Sequence, residues 1–220
     1  MAIVLDRRIT PRGEVVLRRE GAALQVIANG VFLMSTAGGG ASERLLVRAA
    51  LRGLRAPMHV LIGGLGAGFS LVEAVRHPAV RRVTVVEVEK AIIDWHRTYF
   101  RQVTAAAIDD PRVKVVHADL VDWLDDAAGT VDAVCLDADN GPDWTVVPRN
   151  AQLYGDAGLR TLSSVITPDG ALSVWSAAAA EEFEQRLRRH FGVVEIHTVV
   201  VQRGEPDHVY VARRSHGNCM

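Results

Sequence analysis

From residue 57 onward, short apolar runs rich in β-branched residues alternate with longer segments whose apolar positions recur every three or four residues. The first pattern predicts buried strands and the second predicts amphipathic helices. Strands that alternate with helices in this way are typical of a parallel sheet covered by helices. The predicted strands are 58–62, 82–87, 113–117, 131–137 and 170–176. The predicted helices are 67–77, 89–101, 119–126, 149–166 and 178–191.

Two further β-type runs, 193–200 and 208–212, close this pattern as a hairpin. We therefore predict an α/β fold for residues 57–214, with a doubly wound, mostly parallel, seven-stranded Rossmann-like sheet. Ligands of such sheets bind beyond the carboxyl ends of the strands. Residues 215–220 are predicted to be a flexible tail.

Residues 1–56 follow a different pattern and predict a small N-terminal β portion with a linker helix. Asn29-Gly30 is a strong signal for a two-residue hairpin. Because three short strands bury little surface, this portion is expected to lean on the main domain or on a second subunit, which favours a homodimer or higher homo-oligomer. The predicted strands are 14–18, 24–28 and 31–34, and the helix opens at Ser42-Glu43.

Composition excludes several classes of protein. The chain has 220 residues, 49% of them hydrophobic, which supports one α/β domain with a large core and a small appendage. A net charge of −1 without a basic block argues against nucleic acid as a partner. The eight histidines lack ligand spacing, so no metal is expected, and two cysteines cannot make a disulfide framework. Without an N-terminal apolar segment of spanning length, we expect a cytoplasmic protein with no membrane partner.

The segment Gly63-Gly64-Leu65-Gly66-Ala67-Gly68 follows an apolar run and precedes a helical pattern. Glycines at such a turn let a ligand approach the main chain closely, and the helix start offers free N–H groups. The spacing of Gly64, Gly66 and Gly68 differs from the dinucleotide fingerprint and resembles that of class I transferases that use S-adenosylmethionine (AdoMet). We therefore predict that Gly63, Gly64, Gly66 and Gly68 bind AdoMet; the alternative is a tight turn without a ligand.

Acids follow the next two predicted strands. Glu87 ends the second strand about twenty residues past the glycines, where a carboxylate can accept both ribose hydroxyls. Glu89 is a competitor for that role, although it is placed as the first turn of the next helix. Asp119 is a candidate to accept a hydrogen bond from the adenine amine, with Leu120 against the ring. Asp119 also has the pattern of a helix N-cap, and the two roles are compatible.

The densest polar cluster, residues 137–144, follows a strand that is expected to lie near the centre of the sheet. A partly desolvated carboxylate there, such as Asp137, can take a proton from an attacking amine or hydroxyl, or hold a cationic acceptor. The same composition is also typical of an ordinary loop. The candidates for an acceptor pocket are Asp139, Asn140, Trp144, Tyr154 and Trp175, with ordinary packing as the alternative for the aromatic residues.

These motifs together resemble the spermidine synthase family, the polyamine aminopropyltransferases, over nearly the whole chain. The resemblance implies that Glu87 holds the ribose, that Asp119 holds the adenine, and that Asp137 orients or deprotonates the acceptor. Besides these acids, it includes the N-terminal β portion with its Asn-Gly-Val, the glycine turn 63–68, Leu153-Tyr154, and Thr167-Pro168-Asp169-Gly170.

The departures from the family pattern concern charge. Gly66 stands where the family has an aspartate that binds the amine of decarboxylated AdoMet and repels the carboxylate of AdoMet. Asn140 replaces the second loop acid, and Leu33 replaces a glutamine. We therefore predict AdoMet-dependent methyl transfer to a small acceptor that is not a polyamine. The alternatives are an aminopropyltransferase that uses decarboxylated AdoMet, and a non-catalytic nucleoside-binding protein.

Overall fold

The computed structural model describes residues 1–127, 131–201 and 204–214. The predicted flexible tail, 215–220, lies outside these ranges. In the part of the chain that is described, no helix is long and apolar enough to cross a membrane.

The N-terminal part forms a four-stranded antiparallel sheet in the order β1-β2-β3-β4. Three of the strands were predicted from the sequence, but β1 was not. The pairing of β1 with β2 shifts register between Val4 and Asp6. Such a bulge moves the following side chains to the other face, which removes the simple alternation that marks a strand. The strands are β1 (Ala2–Thr10), β2 (Gly13–Glu20), β3 (Ala23–Ala28) and β4 (Val31–Ser35).

The N-terminal sheet shares its core with the rest of the chain. Leu17 and Val26 are fully buried and belong to the same cluster of apolar side chains as Leu46 and Trp95. Burial on this scale stabilises by about 25 cal/mol per Å² of apolar surface. The N-terminal sheet therefore packs on the main domain, which is one of the two arrangements that the sequence predicted; the other was packing on a second subunit.

The main sheet has seven strands in the order β10-β11-β9-β8-β5-β6-β7, with β8 in the middle. Its first five strands along the chain pair in parallel, whereas β11 is antiparallel to both β9 and β10. The predicted doubly wound α/β fold with a closing hairpin is confirmed. The strands are β5 (Met58–Gly63), β6 (Val80–Glu87), β7 (Val113–His117), β8 (Val131–Leu136), β9 (Ile166–Ser176), β10 (Val193–Val199) and β11 (Asp207–Arg213).

The predicted helix 149–166 is wrong in its continuity. Gly155 adopts an extended conformation, with φ −81° and ψ 171°, and divides the segment into two helices. β9 also begins earlier than predicted, because Ile166 already pairs with Val131 before the register shifts. The helices are α1 (Ala41–Leu51), α2 (Phe69–Arg76), α3 (Lys90–His96), α4 (Leu120–Asp126), α5 (Ala151–Tyr154), α6 (Asp156–Val165) and α7 (Glu181–His190).

Candidate functional site

A cavity of about 1130 Å³ lies between the N-terminal sheet, the start of α1 and the carboxyl ends of β5, β6 and β8. Its volume exceeds that of most small-molecule sites, which run to roughly 1,000 Å³. Among the described residues that line it are eight acids and one arginine. The wall is therefore strongly anionic. The acids are Glu20, Glu43, Glu87, Glu89, Asp119, Asp137, Asp139 and Asp207.

The glycine turn, residues 63–68, brings main chain against main chain. Gly64 has φ +91°, and a Cβ added there would lie 2.2 Å from the carbonyl oxygen of Asp137. Gly66 has φ +49°, and a Cβ added there would make only ordinary contacts, 3.8 Å to Asp137 Oδ2 and 4.0 Å to Met34 Sδ. Both of these glycines line the cavity, whereas Gly63 packs against Leu120 and Gly68 packs against His96. Two of the four predicted glycines, Gly64 and Gly66, thus line the cavity.

Glu87 lies at the carboxyl end of β6 and is only 5% exposed. Its Oε2 accepts the Leu65 N–H at 2.8 Å, and its Oε1 accepts the Glu89 N–H at 2.7 Å. Burial raises the pKa of this carboxyl above its usual range. Since each carboxylate oxygen can accept more than one hydrogen bond, both retain capacity for the hydroxyls of a ribose.

The neighbouring acid Glu89 is engaged by the N-terminal sheet. Arg12 Nε donates to Glu89 Oε1 at 2.6 Å, and the Arg12 guanidinium also donates to the Val88 carbonyl. This ion pair joins the turn between β1 and β2 to the end of β6. It leaves Glu87 as the acid at the strand end without a cationic partner among the described residues.

Asp119 lies at the N-terminus of α4. Its Oδ1 accepts the Val121 N–H at 2.9 Å, which is an N-cap interaction, and its Oδ2 lies 3.4 Å from Arg149 Nη1. Asp119 and Leu120 both line the cavity. The cap and a position beside a bound base are therefore compatible in the structure.

Asp137 follows β8 and sits against the glycine turn. Its N–H donates to the Gly63 carbonyl at 2.8 Å, and Ser70 Oγ donates to its Oδ2 at 2.8 Å. Burial, and then repulsion from the Glu43 carboxylate, raise the pKa of Asp137 well above its usual range. A carboxyl with a raised pKa is a better proton acceptor than an ordinary surface aspartate.

Two acids that the sequence analysis did not single out complete the wall beside Asp137. Ser42 Oγ lies 2.9 Å from Glu43 Oε2 and 2.6 Å from Asp207 Oδ2, so a single hydroxyl proton serves two carboxylates. Trp175 Nε1 donates to Ser42 Oγ at 3.0 Å. Burial raises the pKa of both Glu43 and Asp207. We refer to these two residues as the Glu43–Asp207 pair.

The sequence offered little signal for the Glu43–Asp207 pair. Glu43 has the pattern of an acid in the first turn of a helix, and Asp207 begins an edge-proximal strand. They lie 164 positions apart in the chain, and only the pairing of β11 with β9 places Asp207 beside the cavity. Their one shared feature in the sequence is that each lies at the start of an element, Glu43 in α1 and Asp207 in β11.

The predicted acceptor residues divide into two groups. Asp139 is 8% exposed, and its carboxylate accepts the Val146 N–H at 2.8 Å and the Tyr154 hydroxyl at 3.3 Å. Tyr154 is buried against Phe183 and does not line the cavity. Asp139 therefore stabilises its own loop. Asn140, Trp144 and Trp175 line the cavity, as Asp139 also does, and Trp144 is 59% exposed.

Within the described ranges, no three His, Cys, Asp or Glu side chains come together in a way that would hold a metal ion. Cys135 is buried in the middle strand, and burial raises the pKa of its thiol to about 12. This thiol is inert at neutral pH.

Comparisons with known proteins agree with this geometry. Residues 41–199 match the profile of the spermine/spermidine synthase domain. Polyamine aminopropyltransferase 1 of Streptomyces coelicolor is 39% identical over 135 residues, which cover 60% of this chain and 24% of that protein. The polyamine aminopropyltransferase of Mycobacterium tuberculosis (strain CDC 1551 / Oshkosh) is 32% identical over 165 residues, which cover 73% of this chain and 30% of that protein. The matched parts thus span a quarter to a third of these relatives.

The fold has a solved counterpart. A crystal structure of spermidine synthase in complex with the transition-state analogue AdoDATO superposes with a TM-score of 0.83 at 17% identity. The superposition covers 95% of this chain and 73% of that one. At this identity the likeness establishes the fold alone, including the small N-terminal sheet.

The predicted methyl transfer to a non-polyamine acceptor is wrong, because the curated relatives are named polyamine aminopropyltransferases. The error came from counting acids only within the recognised motifs. Gly66 and Asn140 do lack carboxylates, but Glu43 and Asp207 supply two from other elements. The cavity has therefore kept an anionic wall.

Proposed function

Because the chain belongs to the spermine/spermidine synthase family, we propose that it transfers an aminopropyl group from decarboxylated AdoMet to an amine of a polyamine-class acceptor. The observation that carries this proposal is the charge of the cavity, where eight acids face one arginine among the described residues. A cleft lined by one sign of charge concentrates ligands of the opposite sign. A sulfonium donor and an aliphatic amine are both cations.

The anionic wall also supports the choice of donor. Decarboxylated AdoMet lacks the carboxylate of AdoMet, which would have to lie near Asp137 and the Glu43–Asp207 pair. A like-charge contact at about 4 Å costs on the order of 1 to 4 kcal/mol in surroundings that range from water-like to partly buried. Repulsion from whichever of these carboxylates is ionised would act in place of the repulsion lost at Gly66, which favours the carboxyl-free donor.

The residues present suit a nucleoside donor. Glu87 would accept hydrogen bonds from the ribose, Asp119 would accept one from the adenine amine, and Leu120 would pack against the base. The absence of a side chain at Gly66 would let a ligand approach the main chain, and the absence of one at Gly64 lets the glycine turn pack against the Asp137 carbonyl.

The chemistry we propose is a direct displacement. The acceptor nitrogen forms a bond to the propyl carbon as that carbon's bond to sulfur breaks, methylthioadenosine leaves, and the nitrogen loses a proton. Asp137 takes this proton, for which its raised pKa suits it. Most of the acceleration comes from holding the reacting nitrogen, as the neutral amine, in line with the propyl carbon and the departing sulfur.

The proposed function is tested by turnover with defined substrates. The protein is incubated with decarboxylated AdoMet or AdoMet, each with a short aliphatic diamine such as putrescine, and the products are identified by mass spectrometry. Methylthioadenosine and an aminopropylated amine are expected from the decarboxylated donor only. A methylated amine formed from AdoMet, or nucleoside binding without any turnover, would overturn the proposal.

We expect the Glu43–Asp207 pair to hold an ammonium group of the acceptor. A hydrogen bond to a charged group is worth about 1.5–3 kcal/mol, so Asp207→Asn should raise the KM of the diamine by about tenfold or more. Steady-state kinetics at saturating donor measure this change. Glu195→Gln is the matched control, because Glu195 is a half-exposed acid on β10 that pairs with Arg213 outside the cavity. An unchanged KM in Asp207→Asn would remove the pair from acceptor binding.

A further inference from the structure

His96 is a buried titratable side chain that the proposed reaction does not use. It ends α3, is fully buried, and stacks on Phe100 with ring centroids 4.9 Å apart. Its Nε2 lies 2.9 Å from the carbonyl oxygen of Gly66. A Cβ added at Gly68 would lie 2.5 Å from its Cε1. The imidazole therefore supports the glycine turn from below at two points.

The hydrogen bond fixes the state of this ring. A carbonyl oxygen can only accept, so Nε2 carries the proton and Nδ1 is bare. Nδ1 is buried and meets no partner among the described residues. Burial lowers the pKa of His96 to about 4, which keeps the ring neutral at physiological pH. His96 thus acts as a fixed, uncharged donor to a main-chain carbonyl.

The direction of one peptide group follows from this bond. In a trans peptide the C=O and the N–H point in opposite directions. The Gly66 carbonyl points at His96, so the N–H of Ala67 points away from it. Gly66 and Ala67 both line the cavity, and the Ala67 N–H has no acceptor within the described chain. A main-chain N–H without an acceptor in the described chain therefore lies at the cavity wall, on the side of the peptide opposite His96.

The turn needs such support because glycine does not hold the peptide by itself. Gly66 lacks a Cβ and can reach both signs of φ, so the Gly66–Ala67 peptide can rotate at little steric cost. A rotated peptide would withdraw the N–H and place a carbonyl oxygen in a cavity already lined by Asp137. That oxygen would repel an acceptor atom that carries no hydrogen, such as an ether oxygen or a bare ring nitrogen of a nucleoside bound there.

We propose that His96 is a positioning residue that locks the Gly66–Ala67 peptide, so that the Ala67 N–H donates to an acceptor atom of the bound nucleoside. The inference rests on the nucleoside site of the proposed function and goes beyond it, since His96 itself touches no substrate. The affinity for the nucleoside of the aminopropyl donor then depends on a side chain that lies beneath the glycine turn.

The test is a comparison of two substitutions that differ in one donor. His96→Phe keeps a flat ring against Phe100 and Gly68 but cannot donate, whereas His96→Gln can return an N–H near the position of Nε2. Binding of methylthioadenosine is measured by calorimetry together with thermal unfolding. Loss of one directed hydrogen bond and of the peptide orientation should weaken binding in His96→Phe by about tenfold or more, and His96→Gln should recover it to within about threefold.

Thr104→Val is the matched control. Thr104 also packs against Gly68, but its hydroxyl donates to the Phe100 carbonyl and not to the turn. Its affinity for methylthioadenosine should equal that of the unsubstituted protein. If His96→Phe and His96→Gln lose affinity equally, in step with their loss of thermal stability, the role of His96 is structural and the proposal is overturned.

A second measurement separates this inference from the proposed function. ¹⁵N NMR of the ligand-free protein reports the tautomer directly, and we expect Nε2 protonated and Nδ1 bare at pH 7 with no change down to about pH 5. The opposite tautomer would overturn the lock whatever the protein catalyses. Failure of the unsubstituted protein to bind methylthioadenosine would instead overturn the nucleoside site, and the lock with it.

Discussion

Asp137→Asn should lower kcat by about a thousandfold while leaving methylthioadenosine binding nearly unchanged. General-base catalysis contributes roughly 10²–10⁴ in rate, and an amide of the same shape cannot accept the proton. Asparagine still offers an oxygen to Ser70, so the loop should keep its position. Stopped assays of methylthioadenosine release give kcat, and calorimetry gives the affinity. A variant that retains a tenth of the activity would show that Asp137 only orients the acceptor.

The pH dependence of the unsubstituted protein provides the matching control. The base must be deprotonated, and its pKa is raised, so kcat/KM should fall as the pH drops through that raised value. Ser70→Ala removes a hydrogen bond that lowers the pKa of Asp137. The acid limb of the profile should therefore move to higher pH in this variant. A shift in the other direction would mean that another group controls the limb.

Gly64→Ala should weaken nucleoside binding by about a hundredfold or more. A methyl group there would lie 2.2 Å from the Asp137 carbonyl oxygen, and the residue has φ +91°. The backbone strain alone costs on the order of 1–3 kcal/mol. The clash must in addition push the glycine turn away from the loop that begins at Asp137. Calorimetry with methylthioadenosine measures the loss.

Gly53→Ala separates the clash from the backbone strain. Gly53 has φ +78° with nothing within 4 Å of the added carbon. It should lower the melting temperature by only a few degrees, since about 1 kcal/mol shifts a domain of this size by roughly 2–4 °C. Its nucleoside affinity should not change. If the two variants behave alike, the contact of Gly64 with Asp137 has no role in the site.

The main sheet was predictable because its signals are local. Each buried parallel strand is a continuous apolar run, and each helix repeats at its own period. The errors fall where a local rule is interrupted. The bulge between Val4 and Asp6 hides β1, and Gly155 breaks a helix that periodicity alone extends through it.

The site was predictable only where it lies on the strand ends. The glycine turn, Glu87 and Asp137 follow neighbouring strands, so the fold itself brings them together. Glu43 and Asp207 meet through tertiary packing, and no spacing in the chain encodes that contact. The prediction of methyl transfer did not take these two acids into account, although the charge of a cavity depends on every side chain that reaches it.

The N-terminal sheet has a consequence for how such a protein diversifies. Strand β4 contributes Phe32, Leu33, Met34 and Ser35 to the cavity wall, whereas the family profile begins only at residue 41. β4 belongs to a different sheet from β6, which carries Glu87, and β8, which precedes Asp137, although the two sheets share one apolar core. Under the proposed function, substitutions in β4 would therefore alter which amine the cavity admits more than they would alter the groups proposed to hold the nucleoside and to accept the proton.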